Sequence, residues 1–226
     1  MYRSGKHAEA VEYLSRAVER DPANAEYQCH LGVLFWVLCE RGNAALCFQR
    51  AIELLPDYIE AHNHLGAVLT AEGRLEEAVS HYDHALRFNP DFADAHNNLG
   101  ATLTKLGRLD AAIHHCQTAL RLKPDNADAH NNLGIALKRQ DGPEAAIAEY
   151  REAVRINPNH AEAHKNLGAA LGELRRMDEA TISYGEALRV KPDFLAAKMG
   201  LVGQCQNMCQ WEEIEQRSAQ IKVLVR

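Results

Sequence analysis

Apolar and small residues recur along this chain with a period of 34 residues. Within segments 25–58, 59–92, 93–126, 127–160 and 161–194, leucine holds position 7 (Leu31, Leu65, Leu99, Leu133, Leu167) and glycine position 8 (Gly32, Gly66, Gly100, Gly134, Gly168). Alanine holds position 20 (Ala44, Ala78, Ala112, Ala146, Ala180) and position 27 (Ala51, Ala85, Ala119, Ala153, Ala187). An aromatic fills position 24 (Phe48, Tyr82, Tyr150, Tyr184), with Cys116 as the exception. Pairs such as Leu99 and Leu103, four apart, share one helical face. Turn signals fall near position 15, at Gly73, Gly107 and the Asp-Gly-Pro of 141–143. A proline then closes each segment at position 32 (Pro56, Pro90, Pro124, Pro158, Pro192), where it stops the helix before it. The pattern predicts two antiparallel helices per segment, at about positions 1–14 and 18–31.

An incomplete segment, 1–24, precedes these five, and a divergent one, 195–226, follows. Small residues at fixed points let helix backbones approach, and the aromatic fills the space beside them. The period and its leucine, glycine, alanine, aromatic and proline positions resemble the tetratricopeptide repeat family. The resemblance implies an all-α fold, a right-handed superhelical solenoid of antiparallel helix pairs forming a single array over 1–226, with 195–226 as a capping repeat. Position 4, a large aromatic in that family, is here His62, His96, His130 and His164.

Composition narrows the chemistry. The 226 residues carry a net charge of -6, against a main role in neutralising nucleic-acid phosphates. No run of about 18 apolar residues offers a membrane span, and the start lacks a signal-peptide apolar stretch. Six cysteines show no secreted disulfide spacing, so packed, reduced thiols and a cytoplasmic location are expected. Cys205 with Cys209, or His114–His115–Cys116, lack an evident second pair of ligands, and one histidine per repeat is too widely spaced for a single ion. Neither a metal nor another cofactor is expected. Phosphate-binding loops and nucleophile elbows are absent from the sequence, so this chain by itself is not expected to be an enzyme.

In the tetratricopeptide family the first helix of each repeat lines a concave groove through positions 2, 5, 6, 9, 12 and 13. Carried onto this chain, those positions are Asp94, Asn97, Asn98, Ala101, Thr104 and Lys105, then Asp128, Asn131, Asn132, Ile135, Lys138 and Arg139. The next repeat supplies Glu162, Lys165, Asn166, Ala169, Gly172 and Glu173. Asn98, Asn132 and Asn166 form a row, and an amide can both donate to and accept from the backbone of an extended peptide. The alternative is that these asparagines tie neighbouring helices. The row lapses at His30 and His64, and the family's carboxylate clamp lacks its asparagine at position 9. The first full repeat instead presents Cys29, Val33, Trp36 and Val37, an apolar stripe. Such a stripe marks a contact, which includes a homodimer, or lies under further repeats before residue 1.

The A-H-N-N-L-G strings at 95–100 and 129–134, and the final segment with Cys205, Cys209, Trp211 and Arg217, resemble the repeat region of the O-linked N-acetylglucosamine transferase family. That likeness implies an asparagine row, here Asn98, Asn132 and Asn166, gripping extended substrate segments beside a catalytic region beyond Arg226. Residue 1 falls inside a first helix of the repeat, so both ends read as cuts through a longer protein. The expected function is a non-catalytic scaffold for extended protein segments, and the alternative is an independent adaptor.

Overall fold

A computed structural model describes residues 2–207, and side chains from 9 to 203. Twelve helices and no strand occur among them. They divide into two compact units at Arg108 and Leu109. The first holds α1 (Tyr2–Arg20), α2 (Ala25–Val37), α3 (Arg41–Leu54), α4 (Ile59–Glu72), α5 (Leu75–Phe88) and α6 (Ala93–Leu106). The second holds α7 (Leu109–Leu122), α8 (Ala127–Asp141), α9 (Pro143–Ile156), α10 (Ala161–Glu173), α11 (Met177–Val190) and α12 (Leu195–Asn207). First helices begin where the repeat places them. Second helices begin at position 17, one residue earlier than the pattern predicts.

In each unit a helix packs on the next in sequence, and first helices also touch the first helix of the following repeat: α2 on α4 and α4 on α6, α8 on α10 and α10 on α12. The alanines at positions 20 and 27 are fully buried in all five repeats. The glycine at position 8 has a narrower purpose. A Cβ on Gly66 would lie 2.6 Å from the Tyr82 ring, and one on Gly134 would lie 2.6 Å from that of Tyr150. Gly32 stands in the same relation to Phe48. The glycine is thus a socket for the aromatic of its own repeat, and Tyr82, Tyr150 and Phe48 are each about 1% exposed.

Position 15 turns the chain in the left-handed region. Gly73 and Gly107 have φ of 81° and 79°, and each cap N–H bonds back to its own helix. Cys39 and Arg175 occupy the same position at φ of 62° and 61°, without glycine's freedom. In 127–160 the helix continues through Asp141, the turn moves to Gly142, and Pro143 opens α9 at a place where no N–H is needed.

Candidate functional site

Two amides of the row, Asn98 and Asn166, each tie one first helix to the first helix before it within the same unit. Asn98 donates its Nδ2 proton to Oδ1 of Asn63 at 3.0 Å, and Asn166 donates to Oδ1 of Asn131 at 2.8 Å. Each bond runs from position 6 of one repeat to position 5 of the repeat before it. The position-5 amides are correspondingly buried: Asn63, Asn97 and Asn131 are all below a tenth exposed. Asn98, Asn132 and Asn166 are half-buried. The tying role weighed for these asparagines is therefore realised at Asn98 and Asn166, and Asn97 and Asn131 sit under the first-helix surface.

In the second unit this face opens into a cleft of about 460 Å³, lined by Asn131, Ile135, Lys138, Arg139, Tyr150, Glu162, Lys165 and Asn166. Four expected site residues, Asn131, Lys138, Arg139 and Asn166, are gathered here. Lys138 pairs with Glu173 at 2.6 Å, and Lys165 pairs with Glu162 at 2.9 Å. Tyr150 forms part of the floor; its burial, with Glu173 nearby, keeps the phenol protonated well above its usual range. Sequence reasoning placed Lys165 on this face without singling it out. Its signal is a break in the pattern, because lysine replaces the asparagine that three earlier repeats carry at position 5.

The apolar stripe of the first full repeat is shallower than its four residues suggest. Cys29 is 2% exposed, since position 5 faces inward here as it does in the asparagine repeats. Its thiol is pushed up to about 11 by burial, against a lowering hydrogen bond with Tyr58. Val33 and Trp36 are half-buried, and only Val37 is largely open to solvent. Cys29, Cys39, Cys47 and Cys116 are free thiols. Cys209, Trp211 and Arg217 lie outside the described residues, as does the side chain of Cys205.

The position-4 histidines have a specific partner that the periodicity did not disclose. In four repeats the Nε2 atom meets the carbonyl of the proline six residues earlier: His62 with Pro56 at 3.0 Å, His96 with Pro90 at 2.9 Å, His130 with Pro124 at 3.2 Å and His164 with Pro158 at 3.0 Å. A carbonyl only accepts, so Nε2 carries the proton and donates it. His62 Nδ1 lies 2.9 Å from Nδ1 of His81, and its ring stacks on His84 at 3.9 Å. Burial, followed by His62 and His84, pushes His81 down to about 4. At the same place in the second unit, His130 Nδ1 meets Glu149 Oε2 at 2.7 Å. Among the described residues no group of three or more histidines, cysteines and carboxylates is arranged to hold a metal ion. Nor is any helix among them long and apolar enough to cross a membrane.

Comparison with known proteins bears on this architecture. A family model described as TPR repeat matches residues 68–107, 102–141 and 144–174. Two described as Tetratricopeptide repeat match residues 2–40 and 161–194. No curated protein matches the chain. Among solved structures, pilF of Pseudomonas aeruginosa is similar at 21% identity, over 91% of this chain and 93% of that one, with a TM-score of 0.73. TTC0263 of Thermus thermophilus, a thermophilic TPR protein, has 21% identity over 81% of this chain and all of that one, with a TM-score of 0.71. YrrB, described as a TPR protein with an unusual peptide-binding site, has 23% identity over 84% and 97% of the two chains and a TM-score of 0.59. None of these comparisons links the chain to the O-linked N-acetylglucosamine transferases. With family models covering residues 2–40, 68–141 and 144–194, the chain belongs to the tetratricopeptide repeat family.

Proposed function

We propose that this chain is a non-catalytic interaction scaffold that binds extended protein segments along the first-helix faces of its repeats, the concave side expected for the family. The observation that carries this reading is the α8–α10 cleft, where apolar Ile135 and Tyr150 lie beside amides and charges of both signs. An open cleft with a few polar anchors suits an extended backbone, whose alternate side chains face the surface. YrrB lends a precedent for peptide binding on this fold, though not for residues at 23% identity. Selection from a displayed library of ten-residue peptides tests the reading. A selected peptide is expected to bind Ile135→Ser at least tenfold more weakly, with Gln117→Ala on the exposed side of α7 unaffected. Equal losses in the two variants, or no enrichment at all, would refute it.

The narrower assignment, substrate recognition for a transferase resembling the O-linked N-acetylglucosamine transferases, rests on the two A-H-N-N-L-G strings and the final segment alone. An independent adaptor with no catalytic neighbour is the alternative, and the coding sequence after Arg226 separates the two. Self-association through Val33, Trp36 and Val37 is a second use of the surface. Concentration-dependent dimers that survive Trp36→Ala would exclude it. A cytoplasmic setting accords with the free thiols.

A further inference from the structure

Cations on the first-helix faces are not spread evenly over the repeats. At position 5 the residues are Cys29, Asn63, Asn97 and Asn131 until Lys165 appears; at position 12 they are Trp36, Thr70 and Thr104 before Lys138. Position 13 passes from Val37 and Ala71 to Lys105 and Arg139. Three of these cations, Lys138, Arg139 and Lys165, line the one α8–α10 cleft, with Glu162 as the only acid in its lining. This happens in a chain whose net charge is -6. The corresponding residues around α4 and α6 are Ala67, Thr70, Ala71, Asp94 and Asn97, with no cation.

Building on the peptide-scaffold reading, we infer that the α8–α10 cleft selects acidic segments: an extended chain that places an apolar side chain on Ile135 and a neighbouring carboxylate among Lys138, Arg139 and Lys165. Lys138 and Lys165 already have carboxylates of their own, Glu173 and Glu162, but those acids are 53% and 54% exposed. Each lysine is half-buried, but solvent reaches its acid and screens the pair, so an incoming carboxylate can take the acid's place. Lys165 also lies 5.8 Å from the centre of the Phe194 ring, which holds its ammonium near the cleft after Glu162 is displaced. Electrostatic selection of this type gives discrimination between segments and a strong dependence on salt.

Three ten-residue peptides with leucine at alternate positions, interleaved with glutamate, serine or lysine, provide the test by fluorescence anisotropy on the full chain. The glutamate peptide is expected to bind at least tenfold more tightly than the serine peptide, with the margin shrinking between 50 and 300 mM salt. Lys165→Asn, which restores the residue of the earlier repeats, is expected to remove most of that margin at an unchanged Tm. Glu162→Gln is expected to widen it two- to threefold. Equal binding of the glutamate and serine peptides, or a margin untouched by Lys165→Asn, overturns charge selection and leaves the scaffold reading standing. Failure of all three peptides to bind overturns both.

Discussion

Repeat position 23 faces the position-4 histidine in both units, and it holds His81 in the first and Glu149 in the second. Around it the frame is the same: the histidine donates to the proline carbonyl, alanines pack at positions 20 and 27, and tyrosine sits in its glycine socket. The chemistry nevertheless has opposite sign. A proton added to the His62–His81 contact puts charge beside two other imidazoles, with His84 Nδ1 buried and lacking a hydrogen-bond partner. At the same place in the second unit, the His130 ring faces a single carboxylate, Glu149, instead of further imidazoles. The first-helix faces diverge likewise: the groove positions of α2 and α4 carry no lysine or arginine, whereas those of α8 and α10 carry Lys138, Arg139 and Lys165. Positions that seat one helix on another leave little choice of residue, whereas positions beside them are free to set charge.

If the frame is shared, the same wound should cost the same in either unit. Gly66→Ala and Gly134→Ala each drive a Cβ to 2.6 Å from a buried tyrosine ring. Overpacking of that kind costs about 1–3 kcal/mol or more, against a helix-propensity gain of about 1 kcal/mol. Both variants should therefore lose up to about 2 kcal/mol in urea unfolding. Gly168→Ala meets Tyr184 at 3.1 Å and should be nearly neutral. A tolerant Gly66→Ala beside a crippled Gly134→Ala would show that the two frames are not equivalent.

Acid should then separate the units. His81 has an ordinary value of 6.5 and a folded one of about 4, so the folded state binds fewer protons than the unfolded state. Its contribution is complete above 6.5 and is lost as pH falls toward 4. Discounted for partial exposure, the loss is about 1–2 kcal/mol. In the second unit, the His160 ring, its Nε2 3.0 Å from Oδ1 of Asp128, holds that carboxyl below its ordinary 3.8, so stability from that source is lost only at still lower pH. Amide exchange at pH 7 and 5 should show α4 and α5 losing protection while α8 and α9 hold theirs. His81→Glu, which copies the His130–Glu149 arrangement, should abolish the difference. Equal loss of protection in both units would break the comparison.

The period made the helix pairs and their alanine contacts legible, because each depends on residue size recurring at fixed spacing, whereas the groove positions were implied only by the family resemblance. Hydrogen-bond direction has no such signature. His62 and Pro56 were both visible as repeating residues, but their six-residue separation crosses a turn, and only the folded backbone brings Nε2 to the carbonyl. For the same reason Asn98 and Asn166 were legible as a row, while the bonds that occupy them, to Asn63 and Asn131, were not. Lys138 and Arg139 were recognised by position on the face. The cleft that unites them with Lys165 depends on how α8 meets α10.

The smallest effect concerns a position where size carries no information at all. Turns at position 15 were expected from glycine, which marks Gly73 and Gly107; Cys39 and Arg175 adopt the same left-handed backbone unannounced. A residue with a Cβ pays about 1–2 kcal/mol there, because that atom crowds the following carbonyl oxygen. Glycine removes the crowding but enlarges the entropy of the unfolded chain by about 0.5–1 kcal/mol. Both side chains are exposed, so little packing is lost with them. Cys39→Gly in the first unit and Arg175→Gly in the second should each gain up to about 1 kcal/mol, read as a higher urea midpoint at unchanged slope. Cys39→Ala and Arg175→Ala keep the Cβ and should gain nothing. A gain from alanine equal to that from glycine would assign the effect to the side chains removed, and a gain in only one unit would mean that the two turns are not under the same strain.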